Sequence, residues 1–402
     1  MMKFKTLTFL FLLILVSACG AEIPSEIDVM EDVEETTSFT ADTEEPTPFI
    51  SDISQDAPPW QIEFEQYLQD KMQEDHIPGM AVALVDNDEI IYAQGFGIRN
   101  AAENLPVTPD TLFHIGSTHK SITSMLIAIL IDDGYFDWDT PVVEILPEFA
   151  LSDPEATQEV TFRHLLSMCA GISEGAEDEI DTGGSFDDLL DSVAETEILD
   201  FPGEVFEYSN LSASLAGYLG ALAVDEDTED FHTAYTELLE ERILMPIGME
   251  TATIYLSEAQ SSGNFSYSYA LDGDEPVLTE TYDVERDILA PSGSLKASVT
   301  EMGLYIQTQL NQGLAPNGTR VVSEKNLTET WQPYLENYGM GWEIKTYEGI
   351  KIISHEGAYD DFVSIIGFMP EENIGFVILV NSEETGEITE EAQLILAELL
   401  AK

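Results

Sequence analysis

The amino-acid sequence predicts an α/β (α+β) fold, in which an antiparallel sheet built from both ends of the chain is flanked by helices, with an all-helical insertion between the ends. Strand-like runs of apolar and β-branched residues lie near both ends of the folded part. The middle region, from Ser117 to about Ala290, has helical segments and loops without sustained alternation. Strands grouped at the ends, with helices between them, favour an antiparallel sheet covered by helices.

The first residues of the chain have the features of an export signal. Two lysines precede the apolar run Leu7 to Val16, which is too short to span a bilayer and suits the core of a signal peptide. The run ends in Val16-Ser17-Ala18-Cys19-Gly20, which resembles the lipobox of bacterial lipoproteins, whose mature chain begins at a cysteine that carries lipid. We therefore expect residues 1–19 to be a lipoprotein signal peptide and Cys19 to be lipidated. An ordinary signal peptide, with Cys19 incidental, is the alternative.

Residues 20–59 are predicted to form an acidic, disordered tether. This stretch contains roughly a dozen Asp and Glu, no Lys or Arg, and many Thr, Ser and Pro. Its charges repel one another and its prolines stiffen it, so it would hold the following domain away from a membrane surface. The expected location is the cell envelope, lipid-anchored and facing the periplasm or exterior.

Residues 60–402 are predicted to form one large α/β domain. Its first elements are an amphipathic helix from Trp60 to about Asp75 and a hairpin of Met80–Val85 with Glu89–Phe96. The predicted C-terminal elements are strands at Gly341–Ile344, Ile350–Ser354, Val363–Met369 and Ile374–Val380, and a last helix at Thr389–Leu400.

The charge balance excludes one class of partner. The 402 residues include 78 Asp and Glu against 14 Lys and Arg, a formal net charge of −64. Nucleic acid is excluded as a partner, because binding it requires basic residues that neutralise phosphates. Sparse lysine with abundant carboxylate resembles salt-adapted proteins, in which mobile ions relieve self-repulsion. An acidic protein kept soluble at a cell surface is the alternative interpretation.

The sequence gives no support for a metal or cofactor. Its six histidines are scattered, without a His-x-x-x-His or His-Cys cluster, and no phosphate-binding glycine loop occurs. Besides Cys19 the chain has one cysteine, Cys169, so a lipidated Cys19 leaves no partner for a disulfide. We interpret Cys169 as a small buried hydrophobe.

The strongest chemical motif is Ser117-Thr118-His119-Lys120, followed by an apolar run. At the start of a helix, a serine and a lysine three positions apart lie on one face, about one turn apart. A serine hydroxyl is a poor nucleophile until a base takes its proton, and burial lowers the pKa of a lysine enough for it to serve as that base. Ser117 and Lys120 are therefore the candidate nucleophile and base.

Two weaker motifs follow along the chain. Tyr208-Ser209-Asn210 combines a phenol, whose ionised form a nearby ammonium would favour, with an amide that donates and accepts hydrogen bonds. His355-Glu356-Gly357-Ala358 is placed between two strands, where a glycine lets backbone approach a ligand and the next N–H group supplies half of an oxyanion hole. Each motif alone favours a structural role: a core tyrosine in a turn for the first, and a structural histidine for the second.

The three motifs in this order resemble the β-lactamase-related serine hydrolases: class C β-lactamases, D-alanyl-D-alanine carboxypeptidases, D-aminopeptidases and related esterases. The resemblance covers about Trp60 to Leu400 and implies a β-lactamase/transpeptidase-like fold. Smaller shared segments are Val160-Thr161-Phe162-Arg163-His164-Leu165-Leu166, Pro291-Ser292-Gly293-Ser294-Leu295 and Tyr338-Gly339-Met340-Gly341-Trp342.

The resemblance also implies catalytic roles. Ser117 would be acylated, with Lys120 and Tyr208 moving its proton and Asn210 orienting Lys120 and the substrate amide. The N–H groups of Ser117 and Ala358, beside Gly357, would form the oxyanion hole.

His355 departs from the β-lactamase pattern, which has a lysine where a substrate carboxylate is held. A histidine with an ordinary pKa is mostly neutral at pH 7 and gives no permanent cationic anchor. Glu356, if it faces the site, would add repulsion.

The sequence therefore predicts an exported serine hydrolase that acts through an acyl-enzyme on an ester or on an amide or peptide. The substrates favoured are neutral esters and amides or peptides with a free amine. Two alternatives stay open: a catalytically silent receptor or scaffold related to penicillin-binding proteins, and a true β-lactamase or D-Ala-D-Ala carboxypeptidase.

Overall fold

The computed structural model describes residues 57–177, 180, 182–273, 275–279 and 284–382, together with 388, 391, 392 and 395. The predicted signal peptide with Cys19, and all but the last three residues of the predicted tether, lie outside the described residues. No helix within the described ranges is long and apolar enough to cross a membrane.

Seven strands of the described chain form one antiparallel sheet, which confirms the predicted architecture. Their order across the sheet is β3-β2-β1-β11-β10-β9-β8, so strands from the two ends of the domain meet where β1 pairs with β11. The seven strands are β1 (Gly79–Asp86), β2 (Ile90–Asn100), β3 (Leu105–Pro106), β8 (Glu343–Tyr347), β9 (Ile350–Tyr359), β10 (Phe362–Met369) and β11 (Ile374–Val380). Two short ribbons pair β4 (Phe113–His114) with β7 (Lys296–Ala297) and β5 (Tyr269–Asp272) with β6 (Glu275–Leu278).

Both faces of the sheet are covered, as the residues of β1 illustrate. Ala81, Ala83 and Val85 belong to the large core beneath the helical part of the domain. The alternate residues Met80, Val82 and Leu84 belong to a smaller core with α1 (Pro59–Glu74). Because successive side chains of a strand point to opposite faces, an apolar run such as β1 forms only between two covering layers.

The helical part occupies most of the chain between β3 and β8. Its helices are α2 (His119–Asp133), α3 (Val142–Ile145), α4 (Pro154–Thr157), α5 (Phe162–Leu166), α6 (Phe186–Glu195), α7 (Asn210–Val224), α8 (Phe231–Leu239), α9 (Met245–Ile247), α10 (Leu256–Ser261), α11 (Ala290–Gly293), α12 (Val299–Leu310) and α13 (Glu324–Glu329). A single-turn 3₁₀ helix at Gly116–Thr118 precedes α2, another lies at Glu174–Ala176, and a π-helical turn at Glu240–Leu244 follows α8.

Several predicted elements differ in detail. The strand expected at Gly341–Ile344 begins at Glu343, because Gly341 has φ +72° and lies against the first turn of α2. The strand expected to end at Ser354 continues to Tyr359, so the His355–Ala358 motif is within β9 and not between strands. The β5–β6 ribbon within the predicted helical insertion was not expected. Of the predicted last helix, Glu391, Ala392 and Ile395 are helical and the remaining positions lie outside the described residues.

Candidate active site

The turn that carries Ser117 is fixed between two β elements. Strand β4 leads into it, and the Ile115 carbonyl at its start accepts hydrogen bonds from the hydroxyls of Thr118 at 2.7 Å and of Ser364, on β10, at 2.6 Å. Gly116 adopts φ +49°, a conformation that glycine reaches without steric cost. The chain then enters α2 directly, and Ser117 remains partly exposed at its start.

Lys120 is the second residue of α2 and is fully buried. Its Nζ atom is 2.9 Å from the Ser117 hydroxyl, 2.6 Å from Asn210 Oδ1 and 3.1 Å from the carbonyl oxygen of Ser292 in α11. The last two partners can only accept, so Nζ donates to both. The third direction points at the Ser117 hydroxyl oxygen.

Burial also determines the protonation of Lys120. Loss of hydration lowers the pKa of Lys120 to about 7, an effect that the negative charge of Glu177 partly opposes. A lysine with this pKa is substantially neutral near pH 7, and a neutral amine is a base. The predicted depression of the Lys120 pKa is therefore present.

Tyr208 completes the side of the site that solvent reaches. The residue is 36% exposed, and its ring centroid lies 4.8 Å from Lys120 Nζ. Burial raises the pKa of Tyr208 above its ordinary value, and the carboxylates of Glu177 and Glu343 add to this rise, whereas a hydrogen bond with Ser117 lowers it. The expected ionised phenol is not favoured here, because desolvation and two carboxylates raise the pKa of Tyr208. Tyr208 is a neutral hydrogen-bonding group beside the Ser117 hydroxyl.

Asn210 is the first residue of α7, and both ends of its amide are engaged. Oδ1 accepts from Lys120, and Nδ2 donates to Glu177 Oε2 at 2.9 Å. The orientation of the amide is therefore set by an acceptor on one side and a donor on the other.

The backbone at Ser117 and at β9 comes together through two glycines. A Cβ atom added to Gly357 would lie 2.9 Å from Ser117 N, and one added to Gly116 would lie 2.8 Å from Ala358 N. Only residues without side chains permit this approach. The N–H groups of Ser117 and Ala358 are thus close neighbours beside the nucleophile, where two such donors can stabilise an oxyanion. Ala358 itself is exposed.

His355 occupies a different position from the one expected of a residue that faces the substrate. It is 3% exposed, and burial together with the Lys120 charge lowers its pKa to about 3, so the imidazole is neutral. Nδ1 contacts the carbonyl of Glu356, which can only accept, so the ring proton is on Nδ1. Nε2 then accepts from the Tyr338 hydroxyl at 2.8 Å. With both nitrogens occupied, His355 supports the wall of the site and supplies no charge.

Sequence reasoning missed three contributors: Glu177, the Ser292 carbonyl and the Tyr338 hydroxyl. Ser292 and Tyr338 lie in segments that resemble the family, but the sequence predicts no role for either residue. Glu177 carried no signal at all. Cys169 is buried, as expected, and its Sγ atom lies 3.1 Å from the Ser167 hydroxyl.

Residues 64–400 match the Beta-lactamase family. The chain belongs to this family. Its fold is that of β-lactamase-type serine hydrolases, as the sheet and helices had indicated, and the predicted resemblance is confirmed.

Two curated proteins, one from a fungus and one from a bacterium, are similar in sequence to this β-lactamase-family chain. An unguisins hydrolase of Aspergillus campestris is 27% identical over 350 residues, which are 81% of this chain and 62% of that protein. Protein flp of Staphylococcus aureus is 26% identical over 325 residues, 80% of this chain and 63% of that protein. The chain spans less than two thirds of the length of either relative.

Solved structures agree on the fold. The octameric penicillin-binding protein homologue from Pyrococcus abyssi is 26% identical, with a TM-score of 0.71 over 84% of this chain and 77% of its own. The class C β-lactamase from Rhodobacter sphaeroides is 20% identical, with a TM-score of 0.68 over 84% of this chain and 98% of its own, a likeness of fold alone.

Proposed function

We propose that this protein is a serine hydrolase that forms an acyl-enzyme on Ser117 and acts on ester or amide bonds. One observation carries the proposal: the surroundings of Lys120 Nζ fit a neutral amine. Such a nitrogen has two N–H donors and one lone pair. Asn210 Oδ1 and the Ser292 carbonyl receive the two N–H groups, and the lone pair is left for the Ser117 hydroxyl at 2.9 Å.

In the first step the Ser117 proton passes to Lys120 Nζ while Oγ bonds to the substrate carbonyl carbon. The negative charge that develops on the carbonyl oxygen is stabilised by the N–H groups of Ser117 and Ala358. Collapse of this intermediate breaks the bond to the leaving group, which receives the proton from Lys120 through the neutral Tyr208 hydroxyl. Water then attacks the ester on Ser117, with Lys120 again as base, and releases the acid.

The substrate class follows from the charges around this site. His355 is neutral and has both nitrogens occupied, so it gives no cation to hold a substrate carboxylate. Glu177 and Glu343 both act electrostatically on Tyr208. An anionic group brought close to these carboxylates is disfavoured, whereas an ammonium is attracted. The substrates we propose are neutral esters and amides or peptides that carry a free amine.

A panel of matched substrates tests this assignment. Three esters that share a leaving group and carry an acetylated amine, a free amine or a carboxylate at the same position differ chiefly in charge. We expect kcat/KM for the carboxylate ester to be lower by about tenfold or more than for the neutral ester, since tenfold corresponds to about 1.4 kcal/mol and like charges brought together in a binding site cost more than that. The amine ester should equal or exceed the neutral one. A carboxylate ester that is the best of the three would overturn the substrate class and favour a carboxypeptidase or β-lactamase.

The silent-receptor alternative has its own signature. A protein that binds without chemistry would take up no fluorophosphonate at Ser117 and would turn over none of the esters, while still binding one of them. A chromogenic cephalosporin in the same panel identifies a true β-lactamase.

We also propose that the enzyme is exported and anchored to the cell envelope through Cys19. The support is the sequence alone: a short apolar run ends in the lipobox-like Val16–Gly20 segment. Mass spectrometry of protein extracted from its native membrane should find two or three acyl chains on an N-terminal Cys19, and a free thiol at Cys169. A Cys19→Ser variant should leave the membrane fraction. Recovery of an unacylated N-terminus at another residue would overturn the anchor.

A further inference from the structure

The carboxylate of Glu177 lies at the N-terminus of α7, directly behind the catalytic amide. Oε1 accepts hydrogen bonds from the backbone N–H groups of Asn210 and Leu211, the latter at 3.1 Å, and from the Ser209 hydroxyl at 3.3 Å. Oε2 accepts from Asn210 Nδ2 at 2.9 Å. One loop side chain therefore accepts four hydrogen bonds from three consecutive residues.

Only a carboxylate satisfies this arrangement. Both of its oxygens accept, whereas the amide of a glutamine offers one acceptor and one donor. A donor placed at Oε2 would face Asn210 Nδ2, and the Asn210 amide would lose the contact that fixes its orientation. If that amide turned over, its Nδ2 group would face Lys120 Nζ, which already donates there. The negative charge also lies at the positive end of the 15-residue α7, where it is stabilised.

We propose that Glu177 is a positioning residue for the hydrolase: it holds the Asn210 amide with Oδ1 on Lys120 and places the negative charge nearest to that base. This inference rests on the proposed function, because it concerns how Lys120 is oriented and charged during acylation.

Among the described residues, the charge that shifts the pKa of Lys120 is that of Glu177. The other titratable side chains that interact with Lys120 are His119 on α2, His355 on β9 and Tyr208, and the buried Lys296 on β7 acts on His119. Burial lowers the pKa of both histidines to about 3 and raises that of Tyr208, so all three are neutral near pH 7. Glu177 raises the pKa of Lys120. Because the base must be neutral to act, removing this charge should let Lys120 act at lower pH.

The variant Glu177→Gln separates the effect of the Glu177 charge on Lys120 from its effect on the orientation of Asn210. The measurement is the rate of Ser117 labelling by a fluorophosphonate from pH 5 to 9. For the parent protein the rate should rise through about pH 7, following Lys120. For the variant we expect the rising limb to move down by about half a pH unit or more, because the charge is lost. The rate at the plateau should fall by about ten- to a hundredfold, because Asn210 and Lys120 are no longer oriented.

Two further variants make the test specific. Glu177→Asp keeps an acceptor-only carboxylate on a side chain that is one methylene shorter. The rising limb of its pH–rate profile should stay near that of the parent, because the charge is kept. The plateau rate should fall, because the shorter side chain no longer reaches its donors. This variant also serves if Glu177→Gln does not fold. Glu204→Gln makes the same change at an exposed carboxylate that has no contact with Asn210, and should leave limb and plateau unchanged.

The outcomes distinguish failure of the role proposed for Glu177 from failure of the proposed hydrolase function. If the parent protein is not labelled at Ser117, the proposed function fails. If the parent is labelled but Glu177→Gln keeps both its limb and its plateau, or if Glu177→Asp moves the limb down, the role of Glu177 is wrong and the function stands. A lower melting temperature with an unchanged limb would show that Glu177 only stabilises α7.

Discussion

Replacement of Ser117 by alanine is expected to abolish fluorophosphonate labelling and to reduce ester turnover by about a million-fold, the loss typical of a nucleophile that acts as a unit with its base. The reason is local. Of the three hydrogen-bond partners of Lys120 Nζ, the Ser117 hydroxyl is the one that has a proton to give. Alanine removes this hydroxyl, so the base has no nucleophile to deprotonate. Turnover of the best ester before and after the substitution measures the effect.

Ser121→Ala is the matched control for this experiment. Ser121 lies in the first turn of α2, just beyond the 3₁₀ turn that carries Ser117, and its hydroxyl donates to the Thr118 carbonyl and accepts from Tyr305. Its loss should lower stability by about 1 kcal/mol and leave turnover within about threefold of the parent. A Ser117→Ala protein that retains turnover within about tenfold would show that another residue is the nucleophile.

The sequence was sufficient for features that are local in the chain. Ser117 and Lys120 are three residues apart, and helical geometry alone places them on one face. The sheet was predicted in outline because β1, β10 and β11 are long apolar runs that admit few alternatives. Short elements were harder: β5 and β6 have four residues each, and β6 is exposed along its length, so no apolar pattern marks it.

Contacts between distant parts of the chain required more than periodicity. Tyr208 and Asn210 were brought to Lys120 only by resemblance to a family, since 90 residues separate Asn210 from the lysine. Glu177 was not found by either route. It is one of 78 acidic residues and lies on a loop without a motif. The hydrogen bonds that it accepts from backbone N–H groups are visible only in the three-dimensional structure.

Electrostatic reasoning from the sequence failed where burial decides the outcome. Counting neighbouring charges suggested an ionised Tyr208, but desolvation raises the pKa of this phenol, because burial disfavours the charged form whatever its neighbours are. The expectation that His355 is neutral at pH 7 is confirmed, and burial lowers its pKa further, to about 3. Composition and spacing give the charges near a group but not its exposure, and exposure sets the larger part of the shift here.

Gly357→Ala is expected to have the second-largest effect, through the backbone and not through a side chain. A Cβ atom at this position would lie 2.4 Å from the Ile115 carbonyl oxygen, 2.6 Å from the Ser364 hydroxyl and 2.9 Å from Ser117 N. Contacts this short force β9 away from the turn that carries the nucleophile. The N–H group of Ala358 would then leave its place beside that of Ser117.

We expect kcat of the Gly357→Ala protein to fall by about a hundredfold or more, the usual consequence of losing one oxyanion donor. Gly293→Ala is the matched control, because a Cβ atom there would meet the Gly116 backbone and the Tyr359 ring at 3.6 Å, an ordinary van der Waals contact beside the same turn. This control should keep kcat within about threefold of the parent. Melting temperatures and kcat for both variants, measured with one ester, decide the matter. If Gly357→Ala melts like the parent and keeps its kcat, the approach of β9 to Ser117 does not create the oxyanion site, and the stabilising donors must be sought elsewhere around the nucleophile.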